Sequence, residues 1–134
     1  MAGAITIAKL TRIGGDGTMM RTVRLEMARS HEFPEGSDKH GYEFHVPLTD
    51  AGKLDRDAIA KHRDQATFWR FWGGDDERGR VRHGHRGWLL AFARGTGEDE
   101  VIFKGDQHRF APGEYVSIEE RDGQTRTFRV VSVH

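Results

Sequence analysis

Apolar and polar residues alternate most regularly in two stretches of the chain, and a period of two marks a strand with one face in a core and the other in solvent. In the first stretch, Val23, Leu25 and Met27 alternate with Arg24 and Glu26; in the second, Tyr42, Phe44, Val46 and Leu48 alternate with Glu43, His45 and Pro47. Pro47 has no N–H to give to a ladder, so this strand is expected to lie at a sheet edge or to end its pairing there. Thr67–Trp72 is aromatic and β-prone, Gly87–Arg94 reads as a continuous apolar strand through the core, and Val101–Phe103 as a short strand. Tyr115–Glu119 and Thr125–Val133 flank Arg121-Asp122-Gly123-Gln124, and Asp-Gly between two β-prone runs predicts a hairpin. Phe128, Val130, Val131 and Val133 place apolar groups on both faces of the final strand, which favours pairing inside the sheet over an open edge offered to a partner.

The breaks between these runs are consistent with short connections. Thr49–Gly52 turns the chain, and Pro112-Gly113 suits the centre of a type II turn. Asp55 is placed to cap a helix of at most about three turns, with Asp57 near its positive end and Ile59, His62 and Ala66 on the face that points inward. Six to eight short strands and one helix predict a mainly β (α+β) fold, a small barrel or rolled antiparallel sheet with the helix plugging one end. Residues 1–19, which include Gly14-Gly15-Asp16-Gly17, are expected to form a flexible arm ahead of a single domain over 20–134. The 17 glycines are about twice the usual frequency, which fits a chain with many tight turns.

Charge and cysteine usage narrow the partners. Lys plus Arg and Asp plus Glu are equal at 21 each, so no global field draws the protein to nucleic acid or an anionic membrane, and any such attraction has to be local. The absence of cysteine removes disulfides, thiolate nucleophiles and the common structural zinc sites, and makes a reducing, cytoplasmic setting the expectation. No apolar run approaches the roughly 20 residues that span a bilayer, and no membrane contact is expected.

The strings Phe33-Pro34-Glu35-Gly36-Ser37, His40-Gly41-Tyr42-Glu43-Phe44, Arg70-Phe71-Trp72-Gly73, Pro112-Gly113-Glu114-Tyr115-Val116-Ser117-Ile118 and Thr127-Phe128-Arg129-Val130-Val131-Ser132-Val133 resemble an uncharacterised family of small bacterial proteins. The resemblance runs from about Met20 to Val133, implies one domain, and brings no activity, ligand or catalytic residue; the stretch before Met20 departs from the family's usual start.

The strongest chemical lead is Arg78-Gly79-Arg80-Val81-Arg82-His83-Gly84-His85-Arg86, read as a flexible basic loop flanked by Trp69, Phe71, Trp72 and Trp88. Arginines there would meet phosphates bidentately, and adjacent rings would stack unpaired bases; the alternative is a solvated connection neutralised by Asp75, Asp76 and Glu77. Pairs such as His83 with His85, or His40 and His45 with Glu43, fall short of the three or four convergent ligands a metal requires. Glu43 and His45 share a strand face and so have the geometry of an acid/base pair on a face equally suited to solvent. His62 is expected to be a hydrogen-bonded core histidine. No nucleotide-binding glycine motif or nucleophile elbow is present. Phe110–Val116 followed by Arg126-Thr127-Phe128 is similar to the turn and strand of flavin-binding reductase barrels, although Phe128 and Arg129 stand where that family expects Tyr-Ser.

These observations together lead to the expectation of a noncatalytic binding module without a metal or other cofactor. It would act through a basic and aromatic surface made by Trp72, Arg80, Arg82, His83, His85 and Arg86. Another protein is the first expected partner; single-stranded nucleic acid, and a small enzyme or flavin- or metal-binding barrel, are the alternatives.

Overall fold

The computed structural model describes residues 19–85, 87–93, 100–103 and 108–134. Residues 1–18 of the arm expected over residues 1–19, and the candidate Arg86, lie outside the described residues, while Met19 already belongs to the first strand. Among the described residues, eight strands run in the order β1 (Met19–Met27), β2 (Ser37–Leu48), β3 (Thr67–Trp72), β4 (Glu77–Gly84), β5 (Gly87–Phe92), β6 (Glu100–Phe103), β7 (Tyr115–Glu119) and β8 (Thr125–Val133), with helix α1 (Arg56–Lys61) between β2 and β3. Each strand pairs antiparallel with its neighbours in sequence, and β8 returns to pair with β1, closing a small barrel. Among the described residues, β6 meets β7 through the register pair Phe103↔Ile118.

Alternation along the strands determines what fills the barrel. Val23 and Leu25 of β1, Tyr42, Phe44 and Val46 of β2, Trp88 and Leu90 of β5, Val116 and Ile118 of β7, and Phe128 and Val130 of β8 are all sealed from solvent and form one core. An eight-stranded barrel is about wide enough for side chains to fill it, so chemistry is left to its ends and outer face. Two interior glycines let the sheet coil this tightly. A Cβ on Gly41 would lie 2.0 Å from the Leu25 carbonyl, and one on Gly79 would lie 2.1 Å from the Ala91 carbonyl; both are closer than any side chain tolerates.

Most expected elements are present, with three revisions. Residues 78–84, read as part of a loop, form most of β4, because Gly79 and Val81 turn inward while Arg78, Arg80 and Arg82 take the outward row. The helix is shorter than expected. Asp55 caps it by accepting from the Ala58 N–H at 3.0 Å, but it ends at Lys61. His62 is therefore its half-buried C-cap rather than a core residue, and Ala66 lies beyond it, where its carbonyl accepts from the Val81 N–H at 3.0 Å. Pro47 terminates pairing on one side only: β2 pairs with β3 as far as His45, while Pro47 remains opposite Met20 of β1.

The two turns behave as their residues require. Glu114 N–H donates to the Ala111 carbonyl across Pro112-Gly113, with Gly113 at φ 92°. The Asp-Gly hairpin is the three-residue form, in which Gly123 at φ 84° follows a turn closed by its own N–H to the Glu120 carbonyl. The final strand is paired on both sides. Among the described residues, no helix is long and apolar enough to cross a membrane.

Candidate functional site

The barrel has two polar ends. At the hairpin end, the inward rows of four strands terminate in polar groups instead of apolar ones: Glu120 continues the row of Val116 and Ile118, Arg126 precedes Phe128 and Val130, Arg70 follows Phe68, and Tyr42 precedes Phe44. These groups converge. The Glu120 carboxylate, 5% exposed, accepts from the Tyr42 hydroxyl at 2.5 Å, Arg70 Nε at 2.9 Å and Arg126 Nη1 at 2.8 Å. Arg126 also binds Glu32 through Nε at 2.8 Å and reaches Asp122 at 2.9 Å, and Arg121 pairs with Glu77. Burial, reinforced by the Glu120 charge and hydrogen bond, pushes the Tyr42 hydroxyl well above the ordinary tyrosine range, so it remains a donor. Hydrogen bonds from Arg126 lower the carboxyls of Glu32 and Asp122, and Arg126 in turn is raised, chiefly by Glu32.

Trp72 belongs to this end. The Arg70 guanidinium lies 3.8 Å from its ring centre and that of Arg126 5.5 Å, while the His40 and Phe33 rings meet it edge-on at 4.8 and 6.2 Å. A small cleft of about 360 Å³ here is lined by Arg70, Arg121 and Arg126, each already bound to a carboxylate.

The helix end is built differently. A cleft of about 550 Å³ lies between α1 and the β4–β5 hairpin. Ile59, Val81 and Leu89 give it apolar walls, and Arg56, Arg63, Arg82 and His83 supply its charge and polarity; among the described residues no carboxylate lines it. Among the described residues, Arg56, Arg63 and Arg82 have no ion-pair partner, and the Arg82 Nε is sheltered from solvent with no hydrogen-bond acceptor. A sheltered donor without an acceptor costs about 1–3 kcal/mol, and clustering like charges adds to that cost. Such an arrangement is suited to receiving an anion that bears an apolar group. The His83 ring meets the sealed Trp88 edge-on at 4.9 Å, which fixes it at the cleft margin.

The six residues singled out from the sequence are thus divided. Arg82 and His83 line the cleft, and His85 is exposed in the β4–β5 turn beside it. Arg80 points outward and is engaged by Asp64 at 2.9 Å. Trp72 is at the opposite end: Arg80 pairs with Thr67, and the five residues from there to Trp72 span roughly 16 Å. The other flanking rings are also separate from the cleft cations, since Trp88 is in the core and Trp69 is on the outer face against Phe71, with Arg78 5.3 Å from its ring.

The histidine pairs are dispersed in a similar way. His40 hydrogen-bonds Ser37 at 2.7 Å, His45 contacts Thr22 at 3.3 Å and Glu43 faces Arg24 at 3.4 Å. Among the described residues no group of three or more His, Asp or Glu is placed to hold a metal. Arg56 and Arg63, which the sequence reading passed over, carry half of the cleft's arginine and histidine groups. A signal was available: Arg56, Ile59, Ala60 and Arg63 are spaced i, i+3, i+4, i+7, a single stripe along a helix and its continuation.

No protein-family model, curated protein or solved structure matches the chain.

Proposed function

We propose that the protein is a noncatalytic binding module that holds another protein through the helix-end cleft. The observation that carries this is the convergence of Arg56, Arg63, Arg82 and His83, with no carboxylate among the described lining residues, on a cleft walled by Ile59, Val81 and Leu89. An acidic group next to an apolar side chain on a partner would satisfy both features at once. Catalysis has less to support it, because the described lining residues offer one imidazole and no carboxylate or hydroxyl to work with it. Single-stranded nucleic acid is also less well served: its stacking platforms would have to be Trp72 or Trp69, and neither lines the cleft.

The test is selection of peptides from a displayed library against the whole protein, followed by titration of the selected peptides at rising salt. Selected peptides are expected to pair acidic with apolar residues, to weaken as salt rises, and to lose at least tenfold in affinity when Arg56, Arg63 and Arg82 are all changed to Gln. Unaltered binding by that triple variant would overturn the proposal. Tighter binding of a single-stranded oligonucleotide than of any selected peptide, through the same arginines, would replace it with the nucleic-acid alternative.

A further inference from the structure

We infer that the group this cleft receives is the free C-terminus of a partner chain ending in an apolar residue, an inference that rests on the binding role proposed above. The first support is the shape of the charge. Three arginines without ion-pair partners among the described residues stand around the short apolar wall of Ile59, Val81 and Leu89 in a cleft of about 550 Å³, a size that suits a compact terminus better than a long strand of polymer. A terminal carboxylate is joined directly to the backbone that carries the last side chain, so it places an anion and an apolar group side by side with little chain between them. An internal Asp or Glu carries its charge on a separate side chain and has to share the cleft with two continuing strands of peptide.

The second support is the backbone of β4, independent of the charges. The β3–β4 ladder spans only Thr67–Arg70 on β3 and Glu77–Arg80 on β4. One further bond follows, from the Val81 N–H to the Ala66 carbonyl, and from there the chain runs back toward α1. Hydrogen-bonding direction alternates along a strand, so the His83 N–H and carbonyl point to the same edge as the Val81 N–H, past the point where β3 has ended. That edge of β4 lies along the cleft, which Val81, Arg82, His83 and Gly84 all line. The last residues of an extended peptide can add to such an edge by main-chain hydrogen bonds while their alternate side chains enter a pocket. Arg82, whose Nε lacks an acceptor, then supplies the donor that a carboxylate at the end of this short strand requires.

The experiment compares each selected peptide with a free C-terminus to the same peptide ending in an amide, against the wild-type protein and Arg82→Gln. The expected results are an apolar final residue in the selected set, binding at least tenfold weaker for the amide, and loss of that discrimination in Arg82→Gln, with circular dichroism confirming the variant's fold. Equal binding of acid and amide, or a set in which an internal acidic residue is fixed and the last position is random, would overturn the C-terminal inference and leave the binding role standing. A set that binds Arg82→Gln and the triple arginine variant as well as wild type would overturn both. A second variant, Leu89→Ser, removes part of the apolar wall without touching charge and is expected to relax the preference for an apolar last residue; an unchanged preference would also count against the inference.

Discussion

The two ends of this barrel contain similar numbers of arginines and use them in opposite ways. At the hairpin end, Arg70, Arg121 and Arg126 are each bound to carboxylates, and Arg70 and Arg126 share one buried acceptor, Glu120. At the helix end, Arg56, Arg63 and Arg82 stand beside apolar walls with no carboxylate among the described lining residues. An ion network that satisfies itself holds strands together, and it leaves nothing for a ligand to bind. A set of cations kept apart from acids contributes nothing to folding, or works slightly against it, and gains stability only when an anion arrives. On the proposed reading, the position of a carboxylate, more than the number of arginines, separates a structural arginine from one left to bind a ligand.

The comparison is broken most severely at Glu120. Replacing it with alanine leaves the Tyr42 hydroxyl and two half-buried guanidinium groups without their common acceptor. Removal of one partner from such a pair costs about 3–5 kcal/mol, and because Arg70 and Arg126 retain Glu77, Glu32 and Asp122, the lower figure of about 3 kcal/mol is expected in urea denaturation. A loss under about 1 kcal/mol would show that the network is incidental. Tyr42 gives a second test at this end. Its hydroxyl titrates higher in the folded protein than in the unfolded chain, so its contribution is intact below about pH 10 and is lost as pH rises through the folded value. Above pH 10 the wild type should lose up to about 1.4 kcal/mol per pH unit more than Tyr42→Phe does. Parallel alkaline curves for the two proteins would contradict the buried hydrogen bond.

Substitutions at the helix end are expected to be mild. Changing Arg56 and Arg63 to Gln should alter stability by no more than about 0.5 kcal/mol each, and adding Arg82→Gln, which removes the sheltered donor without an acceptor, should raise it by about 1 kcal/mol. The three changes should also remove part of the stabilisation that added salt gives the wild type, since salt screens like charges. The smallest effect belongs to Arg80, which makes an exposed pair with Asp64; Arg80→Ala should change stability by less than about 0.5 kcal/mol and leave peptide binding intact, which separates it from its neighbour Arg82.

The barrel was largely legible because its strands obey a period of two and its turns carry Pro-Gly and Asp-Gly where the backbone needs them. The helix end was legible only in part. Arg82 and His83 were visible as a basic run, but that run was mistaken for a loop because four arginines and three glycines, Gly73, Gly74 and Gly79, obscured the inward phase of Gly79 and Val81. The rings expected beside it were adjacent in sequence and remote in space, since strand order carries Trp72 to the far end. The hairpin-end network escaped notice for a related reason. Glu120 precedes Arg-Asp-Gly-Gln and reads as part of a solvated turn, although its phase with Val116 and Ile118 points it inward. Its partner Tyr42 is 78 residues away, a contact that only the closure of the barrel creates.

Thermal denaturation of wild type, Arg126→Gln and Arg82→Gln, each with and without a saturating selected peptide, tests the division of labour between the two ends directly. Arg126→Gln should melt well below wild type yet gain as much from the peptide as wild type does, whereas Arg82→Gln should melt at or slightly above wild type and gain little. An Arg82→Gln protein stabilised by peptide as strongly as the wild type, or an Arg126→Gln protein that melts normally and no longer responds to peptide, would contradict it.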